Sequence, residues 1–308
     1  MNETKFGVFL PFYAFQNVSG RYFVVLRNIV LECEKCGYHS VWLDDHLMYK
    51  NSSILECWTT LSALSSITNR IRLGTMASCN SFRNPALLAK MASTNDVISN
   101  GRLELAIGAG AQEPEHIAYG MPFPRPKDRI DRMNEAVEVI KKMWTEEKAS
   151  YSGKYYHMRE AVCEPKPRQK PHPPITIAGG GEKLTLKVTA KHADRYDWGY
   201  LPSQSVFKHK LAVLQDFCQA VNKDFQEIEK SCWPAGQIFI HQEENERKPT
   251  NVLSETETAS FTGTPQELMG LIKQYQDWGV TFFMLFFGDL PNVDSLRLFA
   301  DAFIRKIF

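Results

Sequence analysis

Two carboxylates and an imidazole, Asp44, Asp45 and His46, come directly after the apolar segment 41–43, with no turn residue between them. A short apolar segment of this kind is typical of a buried strand. An unperturbed histidine titrates at about pH 6.5, so its imidazole can accept or donate a proton near neutrality. The pattern therefore predicts an acid–base site where a strand ends, with His46 as its main candidate. We predict no metal ion there, because consecutive strand residues point to opposite faces and chelate one ion poorly.

A glycine-rich segment, IAGGGEK at 177–183, separates a further apolar segment from a predicted helix that begins near residue 182. The backbone N–H groups and the dipole at a helix N-terminus favour a bound anion such as a phosphate. We therefore predict an anion site here rather than a plain turn, with Glu182 and Lys183 in the first helical turn. The residues of this predicted site are Ala178, Gly179, Gly180, Gly181, Glu182 and Lys183.

Small residues also follow two other apolar segments, in LGTMASCNSFRNP (73–85) and in IGAGAQEPEH (107–116). Small side chains let the backbone approach a ligand closely, although each segment also fits a tight strand-to-helix turn. The second segment does not match a GxGxxG fingerprint with a following helix, and Pro114 argues against a dinucleotide-binding fold. Both segments are therefore candidates for backbone contacts with some other ligand.

The composition is that of an ordinary globular protein and argues against several classes. The 308 residues are 44% apolar and 23% charged, and the formal net charge is +1. This charge gives no reason to expect a nucleic acid or an anionic membrane as a partner. No apolar run reaches the roughly 18 residues of a membrane span, the first residues do not resemble a signal peptide, and the seven cysteines form no disulfide pattern. We predict a reduced, cytoplasmic protein.

Eight apolar segments alternate along the chain with eight amphipathic segments of helical period. The predicted strands are 5–10, 39–43, 70–75, 102–108, 174–179, 195–200, 236–241 and 280–287. Short apolar strands joined by helices are typical of a parallel sheet that is buried on both faces. Eight such units most simply close into a (β/α)8 TIM barrel, an α/β fold that we expect to form one domain over 1–308. The alternative is an open doubly wound sheet.

Three connections are too long for plain turns, and we predict that they carry insertions. They are 109–127, 146–173 and 242–263. The first and the third follow predicted strands, so in a barrel they lie on the face where the strands end. Barrel enzymes build their active sites on this face, which would also carry the segment 44–46.

The chain resembles the bacterial luciferase-like monooxygenase superfamily, and more narrowly the branch that uses the deazaflavin coenzyme F420. The resemblance is carried, in this order, by GYHSVWLDDHL, RIRLGTMASCNSFRNPALLAKMASTNDVISNGRLELAIGAGAQEPEHIAYGMPFP, GKYYHM and PPITIAGGGEKLTLKVTAKHAD. It covers about residues 5–200 and is looser beyond them. It implies a (β/α)8 barrel with insertion regions, usually a homodimer. The coenzyme ring would lie in the barrel mouth, with its phosphate-bearing tail near the glycine-rich segment.

The resemblance also implies which side chains lie beside the coenzyme ring. Asp45 and His46 match the Asp-His pair that ends the second strand, where the histidine lies beside the hydride-carrying face of the ring. Met76 and Ala77 match a position where the family often has a bulge with a non-proline cis peptide bond that supports the ring. His46 would exchange a proton with the reacting oxygen or polarise it, and Asp45 would orient His46 or bind the coenzyme.

Backbone segments complete the implied coenzyme site, and two positions depart from the family. The matching residues are Gly108, Ala109, Gly110, Ala178, Gly179, Gly180, Gly181, Glu182 and Lys183. Ala111 stands where relatives often carry Trp or Glu, and Lys50 stands where sugar-phosphate and alcohol dehydrogenases carry Trp. We therefore do not carry over those substrates. We expect Glu113, Glu115 or His116 to supply the missing polar group, with the two glutamates as further catalytic candidates.

The residues and the resemblance together imply an F420-dependent oxidoreductase that moves a hydride between the coenzyme and a small organic substrate. Three alternatives stay open. The first is an FMN-dependent monooxygenase on the same barrel, and the second is a barrel that binds a flavin-like ligand without turnover. The third is a metal-dependent hydrolase. The sequence identifies neither the substrate nor the direction of hydride transfer.

Overall fold

Eight parallel strands close into a barrel, which confirms the predicted (β/α)8 fold. The computed structural model describes residues 4–15, 18, 20–50, 52–200, 204–233, 238–240 and 261–305. Its strands are β1 (Lys5–Leu10), β2 (Ser40–Leu43), β3 (Arg72–Cys79), β4 (Leu103–Gly108), β5 (Ala149–Ser152), β6 (His157–Ala161), β7 (Ile175–Ala178), β8 (Arg195–Tyr200), β9 (Glu229–Trp233), β10 (Ile238–Ile240), β11 (Phe261–Gly263) and β12 (Phe282–Leu285). The barrel order is β1-β2-β3-β4-β7-β8-β9-β12, and β12 pairs with β1 to close the ring.

Helices cover the outside of the barrel with their apolar faces turned inward. They are α1 (Tyr22–Cys36), α2 (Cys57–Ile67), α3 (Pro85–Ile98), α4 (Glu113–Ala118), α5 (Pro126–Thr145), α6 (Thr185–His192), α7 (Gln204–Ala220), α8 (Pro265–Asp277) and α9 (Asp294–Phe303). In α5, for example, the buried residues Met133, Val137, Ile140 and Trp144 recur at helical spacing. Over the described ranges, no helix combines the length and the apolarity that crossing a membrane requires.

The long connections do contain extra structure where the chain is described. The connection 109–127 holds the short helix α4 and the first two residues of α5. The connection 146–173 holds the antiparallel pair of β5 and β6. Within 242–263, only 261–263 is described, and it forms β11, which pairs with β10 beside the barrel. The rest of that predicted insertion, 242–260, lies outside the described residues.

The prediction for the seventh barrel strand is wrong. The strand that closes the ring between β8 and β12 is β9, with the sequence EKSCW, whereas 238–240 forms the separate strand β10. The strand β9 begins with the charged residues Glu229 and Lys230, so it lacks the apolar pattern that marks the other strands. Its first residue is stabilised by partners from other strands, because Glu229 pairs with Arg195 at 2.7 Å and with Lys5 at 2.9 Å.

A tryptophan fills the middle of the barrel, and its size accounts for the glycine at two positions of the neighbouring strands. Trp42 is fully buried, and its indole N–H donates to Ser40 at 2.8 Å. A Cβ atom on Gly74 would lie only 2.4 Å from the indole ring, and one on Gly7 would lie 2.8 Å from its nitrogen. The glycines therefore give the indole the space that any side chain would occupy.

The floor of the barrel, at the end where the strands begin, is an ion-pair network. Glu104 is almost fully buried and contacts the guanidinium groups of Arg72 and Arg195, the latter at 3.0 Å. Burial alone would raise the pKa of Glu104, but the charges of Arg195 and Arg72 outweigh it and lower the pKa to about 2. Burial also lowers the pKa of the neighbouring His39 to about 4, so this imidazole is neutral near pH 7. We assign a structural role to this end of the barrel.

The floor network provides a stability prediction. We expect Glu104→Gln to lower the free energy of unfolding by about 3 kcal/mol near neutral pH, because it removes the carboxylate partner of Arg72 and leaves buried Arg195 with Glu229 as its one remaining carboxylate among the described residues. Since folding lowers the pKa of Glu104 from 4.5 to about 2, its contribution is present above about pH 4.5 and is lost as the pH falls through 2. Urea unfolding measured from neutral to acid pH should therefore show the two proteins converging in acid. Asp131→Asn, which removes an exposed pair with Lys127, should change nothing measurable, and equal effects of the two substitutions would contradict the assignment.

Candidate active site

A cavity of about 380 Å³ lies where the barrel strands end. The predicted site residues that line it are Asp45, His46, Met76, Ala77, Gly108, Ala109, Gly110, Glu115, Ala178 and Gly179. The lining does not include Glu113, Gly180, Gly181, Glu182 or Lys183. The remaining lining residues are Ala111, at the position that departs from the family, and five residues that the sequence pattern did not identify as site residues, namely Cys79, Pro126, Arg129, Ile130 and Thr185. The parallel strands thus bring residues from 45 to 185 to one cavity.

The imidazole of His46 is held by a buried glutamate. Its Nδ1 lies 3.0 Å from Oε1 of Glu115, whose Oε2 accepts the backbone N–H of Leu47 at 3.1 Å. The Glu115 side chain is 4% exposed and the His46 side chain 30% exposed, so the glutamate lies behind the imidazole. We assign the Nδ1 proton from this hydrogen bond, which leaves Nε2 as the ring nitrogen for proton exchange.

The short helix α4 decides which glutamate reaches His46. Glu113 and Glu115 are two residues apart, so their side chains point about 200° apart around the helix axis. Glu115 and the adjacent His116 are buried, whereas Glu113 is exposed and lies outside the cavity lining. The local sequence does not distinguish these glutamates, because the side chain that reaches His46 depends on how α4 packs against the barrel.

Asp45 lines the cavity but is bound chiefly by an arginine. Its two oxygens accept hydrogen bonds from Nη1 and Nη2 of Arg83 at 2.6 and 2.9 Å, and one of them also accepts the N–H of Cys79 at 2.9 Å. Burial raises the pKa of the Asp45 carboxyl, and the hydrogen bonds and charge of Arg83 oppose that shift. Arg83 also contacts Glu56, which caps α2. Asp45 therefore connects β2 to the end of β3 through Cys79, and to α2 through Arg83 and Glu56. No described contact connects Asp45 to His46.

The end of β3 carries the irregularity that the resemblance implied. The pairing of β3 with β4 shifts register between Thr75 and Ser78, and the peptide bond between Met76 and Ala77 is cis. Both predictions for this position, the bulge and the non-proline cis bond, are confirmed. Across from it, Gly110 has φ +85°, and a Cβ atom there would lie 2.9 Å from the sulfur of Cys79. The wall formed by β3 and β4 is therefore largely backbone and small side chains.

The glycine-rich segment differs in part from its prediction. The helix α6 begins at Thr185 rather than at 182, so Glu182 and Lys183 lie in the turn before the helix. A carboxylate oxygen of Glu182 lies 3.3 Å from Nζ of Lys210, which also donates to the carbonyl oxygen of Gly180 at 2.6 Å. Gly180, Gly181 and the two charged residues therefore flank the cavity without lining it, and the loop is bound to α7.

Arg129 is the cationic residue that sequence analysis missed in the cavity wall. It follows Pro126 and precedes Ile130 on the face of α5 that turns toward the cavity. Its guanidinium lies 3.9 Å from the centre of the Phe123 ring and donates to the carbonyl oxygen of Pro124 at 2.5 Å. Its Nε is buried without a hydrogen-bond partner, and no carboxylate of the described residues lies within ion-pair distance. The signal was an arginine at an inward position of an amphipathic helix.

Other polar groups near the cavity do not form a nucleophile or a metal site. The sulfur of Cys79 lies 3.7 Å from Nε2 of His116, whose Nδ1 lies 2.6 Å from the carbonyl oxygen of Gln112. Burial raises the pKa of Cys79 to about 11, so this residue is a thiol near neutral pH rather than a reactive thiolate. The part of the chain that the structure describes contains no group of three or more His, Cys, Asp or Glu residues arranged for a metal ion.

Barrel proteins of the (β/α)8 class bind small molecules in a cavity at the ends of their strands. The fold and the cavity of this protein place it in that class. The sequence model of one family, described as luciferase-like monooxygenase, matches residues 4–229. The chain belongs to this family, as the resemblance indicated.

Curated relatives and a solved structure agree with this assignment. The chain is 28% identical over 215 residues to an F420-dependent glucose-6-phosphate dehydrogenase of Amycolatopsis mediterranei, covering 67% of this chain and 62% of that protein. It is 32% identical over 180 residues to a protein of the same name from Kineococcus radiotolerans, covering 57% and 51%. The chain thus spans half to three fifths of these relatives. The structure of an F420-dependent secondary alcohol dehydrogenase with an F420-acetone adduct superposes with a TM-score of 0.80 at 20% identity, covering 97% and 98% of the chains, which shows a shared fold.

The pair of Asp45 and Arg83 provides the prediction for this site. We expect Arg83→Ala to lower the free energy of unfolding by about 3 kcal/mol near neutral pH, because it leaves a buried carboxylate unpaired. The loss should shrink toward about pH 4, because the unpaired Asp45 then binds a proton more tightly in the folded than in the unfolded chain. Chemical unfolding at several pH values checks this. Lys142→Ala, which removes a pair with Glu146 that is about 40% exposed, should have little effect at any pH, and a loss from Arg83→Ala that grows in acid would contradict our account.

Proposed function

We propose that the protein is an oxidoreductase that binds coenzyme F420 in this cavity and moves a hydride between the coenzyme and a small organic substrate. The observation that carries the proposal is the imidazole of His46, oriented by Glu115, beside a wall of backbone at the ends of β3 and β4. The names of the relatives supply the coenzyme in this proposal. The glucose 6-phosphate of those names is not carried over, because exposed Lys50 replaces the expected tryptophan.

The described residues fit a flat coenzyme ring with an anionic tail. The cavity volume of about 380 Å³ lies in the usual range of small-molecule sites. Gly108 lacks a side chain that would lie beside Ala77 of the cis peptide, and Gly110 lacks one beside Cys79, so a planar ring can pack against backbone. Arg129 offers a cation without a carboxylate partner in the described ranges, which suits a phosphate or carboxylate of the tail. The backbone at the start of α6 offers further N–H donors.

When bound, F420 supplies a ring carbon that accepts or gives a hydride. The residues of this chain do the rest in our proposal. The cavity holds the substrate carbon against the ring and excludes water. Nε2 of His46 takes the proton from a substrate hydroxyl during oxidation, or returns it to a carbonyl oxygen during reduction. Glu115 keeps the proton on Nδ1 and stabilises the imidazolium that forms at this step. Asp45 supports the cavity wall through the N–H of Cys79.

The alternative functions differ from the proposal in the ligand that binds or in the need for turnover. An FMN-dependent monooxygenase would use the same backbone wall, because a flavin ring is also planar, and it would consume oxygen. A barrel without turnover would bind either coenzyme and transfer no hydride. A homodimer and a cytoplasmic location remain predictions from the sequence and the resemblance.

A binding titration tests the coenzyme. We expect the purified protein to bind oxidised F420 at least tenfold more tightly than FMN, followed by the fluorescence of each chromophore.

A substitution tests the role of Arg129 in the same titration. We expect Arg129→Ala to weaken F420 binding by about ten- to a hundredfold, which is the range for the loss of a charged hydrogen bond. The same substitution should not change the affinity for a fragment of the coenzyme that keeps the ring and lacks the phosphate-bearing tail. Arg132→Ala, one turn further along α5 and outside the cavity lining, is the matched control.

The outcomes of this titration separate the alternatives. Tighter binding of FMN would move the protein to the flavin-dependent members and make oxygen the co-substrate to test. Equal losses for the whole coenzyme and for the fragment would remove Arg129 from the tail site. If neither coenzyme bound, the proposal would be wrong.

Kinetics test the roles of the two residues at the imidazole. A screen of alcohols, aldehydes, ketones and activated alkenes, read by coenzyme absorbance, should first identify a substrate. We expect His46→Ala to lower kcat by about a hundredfold or more, with coenzyme affinity within about threefold of the original. Glu115→Gln should lower kcat by about tenfold, because Nδ1 and the N–H of Leu47 contact different oxygens of Glu115, and the amide places an NH2 donor at one of these two positions. Glu113→Gln is the matched comparison on the same helix and should leave kcat unchanged. Unaltered turnover in His46→Ala would refute the proposed role of the imidazole.

A further inference from the structure

Asp44 is the carboxylate beside the proposed catalytic imidazole that the mechanism above does not use. We propose that Asp44 is a positioning residue that holds the ring of Phe12 against His46 and makes the site respond to pH. The proposal deepens the proposed function and rests on it, because it concerns the residue that we assign to proton exchange. It names a role for a residue outside the Asp-His pair of the family resemblance.

The backbone of Phe12 is fixed at both of its polar atoms. Its N–H donates to the carboxylate of Asp44, with its nitrogen 3.2 and 3.3 Å from the two oxygens. Its carbonyl oxygen accepts the hydroxyl of Tyr22 at 3.3 Å. The contact forms because β1 and β2 are parallel neighbours, with Leu10 paired to Leu43, so the residues that follow the two strands lie side by side. Asp44 thus fixes the start of the turn that follows β1.

The ring of Phe12 packs against the imidazole of His46, so the position of Phe12 affects the position of that imidazole. The ring is 4% exposed, and its centre lies 5.7 Å from that of His46 with the planes at 75°, an edge-on contact. On another side it packs against Tyr49, with the centres 5.4 Å apart. Among the described residues, His46 is therefore held by the hydrogen bond from Nδ1 to Glu115 and by the packing of Phe12. Only the second depends on Asp44.

The charge of Asp44 changes in the range where an imidazole also titrates. Burial raises the pKa of Asp44 from 3.8 to about 6, although the N–H of Phe12 and the charge of His46 oppose the shift. The groups that face it from α1 and α2 are Tyr22 and Cys57, and burial raises both of their pKa values, so they are neutral here. The adjacent Asp45 is paired with Arg83. Among these groups, Asp44 is therefore the one whose charge changes near pH 6.

Ionisation of Asp44 has two effects on the imidazole. The carboxylate becomes a charged and hence stronger acceptor for the N–H of Phe12, which tightens the packing on His46. Its negative charge also attracts the positive charge that the imidazole of His46 carries when it has taken a proton. The ionised form costs folding stability, since the folded chain binds this proton more tightly than the unfolded chain does. The contribution of Asp44 to stability therefore decreases as the pH rises from about 4 to about 6.

Nuclear magnetic resonance on the protein without coenzyme tests this inference independently of turnover. The imidazole signals of His46 are identified by their loss in His46→Gln. In the original protein we expect their chemical shifts to include a change with a midpoint near pH 6, which reports the charge of Asp44. In Asp44→Asn, which keeps an oxygen for the N–H of Phe12 and removes the charge, we expect this change to be lost. Asp194→Asn is the matched control, because Asp194 accepts the N–H of Ile175 at 2.8 Å at the opposite end of the barrel.

A second nuclear magnetic resonance signal tests the inference in the original protein without any substitution. The amide N–H of Phe12 should shift in the original protein with a midpoint near pH 6, because its acceptor changes charge there. With a substrate in hand, Asp44→Asn should lower kcat by about tenfold near neutral pH, change KM little and remove the inflection near pH 6 from the profile of kcat.

The outcomes of these measurements distinguish this inference from the proposed function. Identical titrations of His46 in the original protein and in Asp44→Asn would overturn the inference, and so would an amide of Phe12 that does not respond near pH 6. Neither result would affect F420 binding or the loss of turnover in His46→Ala. If the His46 signals change near pH 6 in the original protein but not in Asp44→Asn, and the protein does not bind F420, the coupling of Asp44 to His46 is supported and the proposed function is refuted instead.

Discussion

All residues of the cavity meet because eight strands run in one direction around a closed ring. The closure by β12 on β1 places every carboxyl end on the same face, so segments that are far apart in the chain become neighbours. The ring can close only if its interior is filled. Trp42 occupies the middle between two glycines, and a network of buried charges occupies the floor. The packing of the interior therefore supports the geometry of the cavity above it.

The buried carboxylates at the two ends of the barrel differ in their charged partners and therefore in their pKa values. At the floor, Glu104 is neutralised by two arginines, and its pKa falls. At the mouth, Asp45 is neutralised by Arg83, whereas Asp44 has backbone N–H contacts and a nearby imidazole. The arginines lower the pKa of Glu104 below its ordinary value and oppose the rise that burial causes at Asp45, while burial raises the pKa of Asp44, which has no arginine partner among the described residues, to about 6. The neighbouring residues Asp44 and Asp45 thus have different chemistry because their surroundings differ.

The same backbone wall suits F420 and FMN alike. A flavin and a deazaflavin present the same flat shape, and the backbone at the ends of β3 and β4 responds mainly to shape. The difference between hydride transfer and oxygen activation lies in the ring of the coenzyme, which the protein does not supply. The residues that can tune either reaction are the polar groups of the wall, His46 with Glu115 and the cation of Arg129.

The sequence by itself determined the alternation of strands and helices, the barrel and the strand-end position of His46, because these follow from local periodicity and from chain order. The family resemblance added the bulge and the cis bond at Met76. Only the tertiary structure decided that Glu115 rather than Glu113 contacts the imidazole, that Arg83 neutralises Asp45 and that the charged segment 229–233 is a strand. Each of these depends on partners tens of residues away, and on the direction in which a short element turns its side chains. Local pattern carries no information about either.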